Sequence, residues 1–290
     1  MEENNCKFIC SVGFRKSCTI KYNSDYDYKN GYNFENVQEN NTIYIKSDYL
    51  YEFSKIIDII PNKFILLSGC SDYTIPNDVF NEEEFLKFIN NDKIIHWYVQ
   101  NLVYSHKKIT NLPIGLDYHT IYNHNNHEWG PQMYPIIQEN ELLQIKNESK
   151  HFSERIPKCY ANFHFSINTK YGYDRKDALE KIDKNLVFYE NNKLKRIDNW
   201  KTQSQYSFVI SPHGNGLDCH RTWEAIILGC IPIVKTSCID SLYNDLPVLI
   251  VFDWNDVNEE LLLNTIQLFK EKDFNYNKLT LDYWINLINT

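Results

Sequence analysis

The sequence predicts an α/β protein made of two Rossmann-like domains that face each other across a cleft. Short apolar runs alternate with segments of helical periodicity, and this alternation is typical of parallel sheets with crossover helices. The pattern begins again after a polar stretch that runs through Pro157. Residues 231–234 and 248–252 are apolar almost throughout, as in strands of a sheet that is covered on both faces. Together these observations favour two α/β halves.

The first half has alternating strand and helix patterns. Strands are predicted at residues 7–12, 42–46, 63–67, 94–99 and 110–114. Helices are predicted at residues 48–60, 81–90 and 134–150. The helix at 81–90 opens with three Glu residues, which the positive end of the helix dipole favours. Residues 13–41 and 117–132 are polar, and we expect them to form loops.

The second half repeats this rhythm. Strands are predicted at residues 160–167, 186–189, 208–210, 231–234 and 248–252. Helices are predicted at residues 175–182, 199–206, 219–228, 257–270 and 281–288. We therefore place one domain at residues 1–155 and a second at residues 156–275, with a closing C-terminal helix in residues 276–290.

Composition and charge argue against several classes of function. The formal net charge is −8 and no basic stripe is present, so no nucleic-acid partner is expected. No apolar run reaches the roughly 20 residues of a membrane span, and the acidic N-terminus is unlike a signal peptide, so we expect a cytoplasmic protein. The eight cysteines have neither C-x-x-C nor zinc spacing, which favours free thiols in a reducing compartment. The sequence indicates no particular oligomeric state.

Residues 211–234 carry the clearest chemical signal. A predicted strand ends there, a loop with Gly214 and Gly216 follows, and a helix is predicted to begin near Asp218, which suits the N-cap position. Ligands of open α/β sheets bind at such carboxyl ends of strands, and glycines let backbone amides approach an anion closely. The loop is therefore a candidate anion site.

The first turn of that helix carries two basic side chains, His220 and Arg221. The helix dipole disfavours cations at this end, so a bound anion such as a diphosphate is the simplest explanation. Alternatively, Arg221 forms an ion pair with Asp218 or Glu224, each three residues away. Glu224 lies one turn further along the same face, where its carboxylate can accept hydrogen bonds from both hydroxyls of a ribose. The alternative for Glu224 is a surface salt bridge.

The letters R-T-W-E-A-I-I-L-G-C-I-P-I-V, which begin at Arg221, resemble the donor-site segment of exostosin-like glycosyltransferases. The resemblance covers residues 211–234 and extends weakly to 246–248, and residues 96–101 and 112–117 look like segments of related short glycosyltransferases. It implies the GT-B fold, a nucleotide-sugar donor held by the C-terminal half, and a glycan or glycoconjugate acceptor held by the N-terminal half. It also implies that no metal or other cofactor is required.

The same resemblance assigns donor-site roles within residues 211–234. It implies that Glu224 binds the ribose and that Arg221 lies near the diphosphate. The loop implied to lie near the diphosphate with Arg221 consists of His213, Gly214, Asn215 and Gly216. We expect His220 to contact the donor as well, because it shares the helix start with Arg221.

Three further residues are candidates for catalysis. Arg175 follows a predicted strand and a loop, and there its guanidinium would clamp the diphosphate and stabilise the departing nucleotide. The alternative for Arg175 is solvated surface. If the reaction inverts the anomeric centre, the acceptor hydroxyl needs a base, and Asp117 or His119 could serve because both lie just past a predicted strand end.

Other functions remain as alternatives. A metal-dependent transferase would use an Asp-x-Asp motif, which residues 25–27 match inside a polar loop. His124, His127 and Glu128 could in principle hold a metal, although solvated histidines in a polar loop are favoured. A non-catalytic glycan-binding or nucleotide-sugar-binding module is the other alternative. A dehydrogenase or methyltransferase is disfavoured because no G-x-G-x-x-G follows the early strands.

Overall fold

The computed structural model describes residues 3–21, 34–163 and 167–290. The N-terminal half contains a parallel sheet of five strands that lie side by side in chain order. These strands are β1 (Ile20–Lys21), β2 (Asn41–Lys46), β3 (Phe64–Gly69), β4 (Ile94–Val99) and β5 (Ile109–Asn111). The helices of this half are α1 (Ser11–Ser17), α2 (Leu50–Ser54), α3 (Glu82–Ile89), α4 (His119–Asn123) and α5 (Pro135–Glu148). A small hairpin follows α4, with strands β6 (Asn126–His127) and β7 (Gly130–Pro131).

The C-terminal half contains a second parallel sheet of five strands. These strands are β8 (Ile156–Ala161), β9 (Val187–Tyr189), β10 (Tyr206–Ile210), β11 (Ile231–Lys235) and β12 (Leu249–Val251). The helices are α6 (Gly172–Lys181), α7 (Arg196–Gln203), α8 (His220–Ile227), α9 (Glu259–Lys270) and α10 (Leu281–Asn289).

Strand order in the C-terminal sheet creates a topological switch point. The order is β9-β8-β10-β11-β12, so the chain moves to one side of β8 first and then continues from its other side. In open parallel sheets of this order, a crevice forms outside the carboxyl ends of the two strands where the direction reverses. The crevice of this protein is therefore expected beyond Ala161 of β8 and Ile210 of β10.

Both sheets are buried on both faces. In β10, Phe208 and Ile210 pack into one apolar cluster, whereas Val209 packs into another. In β4, Trp97 and Val99 likewise pack on the face opposite to Tyr98. Because successive side chains of a strand point to opposite faces, a strand covered on both sides is apolar at every position. This explains the continuous apolar runs in the sequence.

The two halves share one apolar cluster and are joined by the C-terminal helix. Tyr98 of the N-terminal sheet and Val209 of the C-terminal sheet belong to the same cluster as Trp223 of α8. Helix α10 lies on the N-terminal half, where the backbone N–H of Leu281 donates to the carbonyl of Lys7 over 2.9 Å. The predicted α/β architecture with two Rossmann-like halves across a cleft is confirmed.

Most predicted elements are present, but the first strand and the first long helix are not. Residues 8–10 form only two isolated bridges, Phe8 with Thr280 and Cys10 with Gly115, and α1 begins at Ser11. The expected helix at 48–60 is divided into α2 and two 3-10 turns at 47–49 and 57–59. Its apolar face is nevertheless buried, because Leu50, Phe53 and Ile57 reach the same cluster from these shorter pieces.

Some predicted boundaries and loops also differ. Helix α6 begins at Gly172, three residues before the expected start, and α7 begins at Arg196 rather than at residue 199. Residues 117–132 contain α4 and the β6–β7 hairpin in place of an extended loop. Strand β5 ends at Asn111, ahead of Pro113, which has no backbone N–H for a ladder. Across the described residues, no helix combines the length and apolar character needed to cross a bilayer.

Candidate functional site

A cavity of about 580 Å³ lies at the switch point and takes its walls from both halves. From the N-terminal half it is lined by Asp117 and Trp129, and from the C-terminal half by Asn162 at the end of β8. Several predicted site residues also line it, namely Arg175, Gly214, Asn215, Gly216, His220, Arg221 and Glu224. Its size is in the range of small-molecule and cofactor sites, so the residues above form one candidate binding site.

The loop after β10 is held in place by its own backbone and by α6. The N–H of Gly214 donates to the carbonyl of Gly216 over 3.0 Å, which closes the loop into a tight turn. The N–H of His213 donates to the Asp174 carboxylate over 2.9 Å, and Arg175 Nε donates to the His213 carbonyl over 3.2 Å. The loop is therefore fixed before any ligand arrives.

His213 supports this loop from beneath. Its side chain is 6% exposed, and its Nδ1 lies 2.8 Å from the carbonyl of Leu217. His213 is not among the residues that line the cavity, whereas Asn215 and the two neighbouring glycines are. The His213 side chain thus contacts Leu217, four residues further along the chain, and does not face the cavity.

Asp218 is not the N-cap of α8, contrary to the sequence prediction. The helix starts one residue later, with Cys219 at the N-cap position and without a side-chain cap. The Asp218 carboxylate instead accepts the backbone N–H of Ile114 at 2.8 Å and the indole N–H of Trp223 at 2.9 Å. Burial raises the pKa of Asp218 to about 6, although these hydrogen bonds oppose the shift. Asp218 therefore links the loop after β10 to the N-terminal half.

The two basic residues are the first two of α8, as expected. Arg221 Nη1 lies 3.4 Å from the carbonyl oxygen of Pro212, and its guanidinium lies over the Phe163 ring at 5.6 Å. Among the described residues, Arg221 makes no ion pair within 4.0 Å with Asp218 or Glu224. The alternative prediction, in which Arg221 forms an ion pair with Asp218 or Glu224, is therefore wrong.

A second guanidinium adds positive charge to the same wall. Arg175 is 8% exposed and lies in the first turn and a half of α6. Burial lowers the pKa of Arg221, and the charge of Arg175 lowers it further. Two cations that disfavour each other around one cavity are stabilised when an anion binds between them.

Glu224 lies on the cavity wall one turn after His220. Its side chain is 12% exposed, and its Oε1 is 4.0 Å from Arg196 Nε. Burial raises the pKa of Glu224, and the positive charge of Arg196 opposes this shift. A mostly buried carboxylate with a cation at the limit of ion-pair distance retains room to accept hydrogen bonds from a ligand.

Asp117 lines the cavity, but its carboxylate is already surrounded by donors. It accepts the N–H and the hydroxyl of Thr120 at 2.9 and 2.7 Å, and His119 Nδ1 lies 3.0 Å away. Arg196 Nη2 lies 3.6 Å from its second oxygen. Burial alone would raise the pKa of Asp117, but the His119 hydrogen bond and the charges of His220, His119 and Arg196 outweigh it and hold the pKa well below its usual range.

His119 is half-exposed and does not line the cavity. His220 lies closer to it: its Nδ1 is 2.7 Å from the carbonyl oxygen of Gly115, and its ring centroid is 6.3 Å from that of His119. Gly115 has a φ of +67° and lies so close to Ile9 that an added Cβ would be 2.1 Å from the Ile9 carbonyl oxygen. Glycine is thus required at the position that presents this carbonyl to His220.

The alternative metal site at His124, His127 and Glu128 is not formed. The described residues contain no group of three or more His, Cys, Asp or Glu side chains arranged to hold a metal. His127 Nδ1 accepts the N–H of Trp129 at 3.2 Å, and Glu128 pairs with Lys193 over 2.7 Å. The Asp-x-Asp letters at residues 25–27 lie outside the described residues.

Two wall residues, Asn162 and Arg196, carried no clear signal in the sequence. Asn162 places a buried Oδ1 without a hydrogen-bond partner in the described part of the chain. Arg196 stacks on Trp129 with 4.8 Å between the guanidinium carbon and the ring centroid. From the sequence, Arg196 was only a weaker candidate for a diphosphate contact, like Lys176 and Lys195, and Asn162 was one of many Asn. The position of Asn162 directly after a strand at the switch point is the signal that could have found it.

The sequence matches no protein-family profile and no curated protein. Among solved structures, an OtsA apo structure aligns with a TM-score of 0.43 and 9% identity, covering 88% of this chain and 74% of that one. An E. coli trehalose-6-phosphate structure bound with UDP-2-fluoro glucose aligns with a TM-score of 0.41 and 9% identity, over 88% and 74% of the two chains. An alpha,alpha-trehalose-phosphate synthase (UDP-forming) from Burkholderia vietnamiensis aligns with a TM-score of 0.40 and 9% identity, over 87% and 71%. Similarity of this degree assigns no activity to this chain.

Proposed function

We propose that this protein is a glycosyltransferase that moves a sugar from a nucleoside-diphosphate sugar to a hydroxyl of a glycan or glycoconjugate, without a metal. The observation that carries the proposal is the grouping of Arg175, Arg221 and Glu224 on one cavity at the switch point between two α/β halves. Two cations and one carboxylate match the diphosphate and ribose of a nucleotide.

The diphosphate is proposed to lie between Arg175, Arg221 and the loop of Gly214 and Gly216. Guanidinium groups bind phosphate oxygens through two parallel hydrogen bonds, and the start of α8 adds its positive dipole end. When the bond between the anomeric carbon and the phosphate oxygen breaks, the nucleoside diphosphate gains negative charge. The two arginines stabilise that charge, which is the role a divalent metal has in other transferases.

The ribose is proposed to bind Glu224, and the acceptor is proposed to enter along the wall of Asp117 and Trp129. Glu224 accepts hydrogen bonds from adjacent hydroxyls, and Arg196 on its other side keeps its charge compensated. An indole such as that of Trp129 suits the apolar face of a sugar ring. In this proposal the acceptor binds residues 1–155 and the donor binds residues 156–275. The motif in residues 211–234 supports an exostosin-like relationship, and the free cysteines are consistent with a cytoplasmic protein.

A thermal-shift screen tests the donor assignment. UDP-glucose, UDP-N-acetylglucosamine, GDP-mannose, CMP-sialic acid and dTDP-glucose are each added over a range of concentrations. A ligand of the native state raises Tm with the logarithm of its concentration, so at least one diphosphate sugar is expected to do so. Release of the nucleoside diphosphate, measured with and without an excess of EDTA, then tests transfer and metal independence.

The outcomes separate the alternatives. Binding without nucleotide release, even with a broad acceptor panel, favours a non-catalytic binding module. Activity that EDTA abolishes and Mn²⁺ restores favours the metal-dependent transferase. A protein that neither binds nor consumes any diphosphate sugar contradicts the proposal.

A further inference from the structure

The ring of His220 bridges the two halves at the edge of the cavity. Its Nδ1 lies 2.7 Å from the carbonyl oxygen of Gly115, which belongs to the N-terminal half, while His220 itself begins α8 in the C-terminal half. A carbonyl oxygen can only accept, so Nδ1 carries the hydrogen of this bond. In a neutral imidazole the other nitrogen, Nε2, then has the lone pair.

The surroundings of His220 favour the neutral ring. Burial, the largest effect, lowers its pKa below 6.5, and the charges of His119 and Arg196 act in the same direction. The negative charge of Asp117 and the hydrogen bond to the Gly115 carbonyl oppose them and raise the pKa, but the lowering effects are larger. The positive end of the α8 dipole also disfavours an imidazolium at the first helical residue. The ring is therefore a hydrogen-bond acceptor at neutral pH.

This protonation state does not suit a contact with phosphate. A phosphate oxygen at neutral pH brings no proton, so it would meet the lone pair of Nε2 with repulsion. A hydroxyl does bring a proton, and within the described part of the chain Nε2 makes no hydrogen bond. The ligand group that fits Nε2 is thus a hydroxyl rather than a phosphate oxygen.

The two residues that the sequence offered as bases are less suited. The Asp117 carboxylate accepts from Thr120 and lies beside His119 and Arg196, and its lowered pKa makes it a weak base. The Nδ1 of His119 is directed at Asp117, and His119 does not line the cavity. His220 does line it.

We propose that Nε2 of His220 is the general base of the transfer, with Gly115 holding its tautomer and Asp117 stabilising the ring when it becomes charged. This inference rests on the proposed glycosyltransferase function. The acceptor oxygen forms a bond to the anomeric carbon, and its proton moves to Nε2. The bond from the anomeric carbon to the phosphate oxygen breaks, and its electron pair leaves with the nucleoside diphosphate. Attack by a separately activated hydroxyl, opposite to the leaving group, inverts the anomeric configuration.

Two variants separate catalysis from structure. His220→Asn places an amide N–H near the position of Nδ1, so it can still donate to Gly115 while the Nε2 lone pair is lost. His220→Gln loses the Gly115 bond. His151→Asn is the matched control, because His151 is exposed and lies outside the cavity lining. The donor used is whichever of the five nucleotide sugars above the unmodified protein consumes.

We expect His220→Asn to lower kcat by about 10²- to 10⁴-fold, the usual contribution of a general base, with donor affinity by calorimetry within about three-fold. For the unmodified protein, kcat at saturating donor should be flat near neutral pH and fall below pH 6.5, because the lowered pKa keeps the ring neutral down to that range. The variant should lose this acidic limb, and free imidazole should restore part of the rate. The product should have the inverted anomeric configuration by NMR.

A measurement without substrate tests the tautomer directly. In ¹⁵N-labelled protein at pH 7, the His220 ring should show a protonated Nδ1 and an unprotonated Nε2. The ring signals of His220 are assigned as those that disappear in the spectrum of His220→Asn. The inference would be overturned by an imidazolium or the opposite tautomer in the NMR spectrum. It would also be overturned by an unchanged kcat and pH profile in His220→Asn, or by a product of retained configuration. In each of these cases the glycosyltransferase function would still stand. Absence of donor binding and consumption in the unmodified protein would overturn both.

Discussion

The carboxylate of Asp218 accepts the backbone N–H of Ile114 over 2.8 Å, and this hydrogen bond joins the two halves of the molecule at the floor of the cavity. The N–H of Asp218 in turn donates to Asn101 Oδ1 over 2.9 Å. Both partners follow strands of the N-terminal sheet, β5 and β4 respectively. The loop that precedes α8 is therefore positioned by the half to which it does not belong.

Replacement of Asp218 should destabilise the whole fold. Asp218→Ala leaves the N–H groups of Ile114 and Trp223 buried without an acceptor, and we expect the free energy of unfolding to fall by about 3 kcal/mol. Urea unfolding followed by tryptophan fluorescence measures this. Asp273→Ala, at an exposed loop position, is the control and should change the free energy by less than about 0.5 kcal/mol. Equal stabilities of the two variants would contradict the linking role of Asp218.

Asp218 also shows what the sequence could and could not predict. Apolar periodicity is a local property, so the sequence located most strands and helices, including α3 with its three opening Glu residues. An Asp just before a helix satisfies the local rule for an N-cap, and nothing nearby in the sequence reveals Ile114 as its partner. The tautomer of His220 depends in the same way on the carbonyl of Gly115, more than a hundred residues away. Local chemistry predicted that the glycine loop after β10 would line a site, whereas contacts distant in sequence determine how the neighbouring side chains are held.

Glu224 should contribute mainly to nucleotide affinity. Loss of a carboxylate that accepts hydrogen bonds from the ribose costs about 1.5 to 3 kcal/mol, so Glu224→Ala should weaken nucleotide binding by about 10- to 100-fold. Glu224→Gln keeps the shape and one acceptor oxygen, and its loss should be smaller. Calorimetry with UDP, or with the nucleotide of the donor found by the thermal-shift screen, measures both. Glu271→Gln is an exposed control. Unchanged affinity in Glu224→Ala would remove the ribose role.

Nucleotide binding should weaken in mildly acidic solution. Burial raises the pKa of Glu224 above its ordinary 4.5, so its carboxylate becomes protonated at a higher pH than an exposed Glu. The favourable contribution of the ionised group is present above the raised pKa and is lost as the pH falls through it. Affinity measured from pH 8 down to pH 5 should therefore decline for the unmodified protein and stay flatter for Glu224→Gln. Parallel curves for the two proteins would show that another group controls the decline.

The two cavity arginines should affect turnover more than folding. Arg175→Lys and Arg221→Lys keep the charge but lose the paired N–H donors, and we expect each to lower kcat by about 10²-fold through weaker stabilisation of the departing diphosphate. Lys176→Ala, exposed on the same helix as Arg175, is the control for a charge outside the cavity. Steady-state rates of nucleotide release are compared with unfolding midpoints. A variant whose rate falls only as far as its folded fraction would place that arginine in a structural role.

Gly216 should be required because Asn101 lies directly against it. A Cβ added to Gly216 would lie 2.9 Å from Asn101 Nδ2 and 3.1 Å from its Oδ1, and Asn101 is fully buried and bonded to Asp218. The Asn101 side chain cannot move away without losing its hydrogen bond to the Asp218 N–H. Gly216→Ala should therefore destabilise the fold by about 1 to 3 kcal/mol and weaken nucleotide binding.

A double-mutant cycle isolates this contact. In an Asn101→Ala background the space beside Gly216 is open, so Gly216→Ala should there cost at least about 0.5 kcal/mol less than it does alone. The free energies of unfolding of the four proteins, taken from urea curves of equal slope, give the coupling. Additive costs would mean that Gly216 is limited by something other than Asn101, and the proposed packing of the donor loop against the end of β4 would then be wrong.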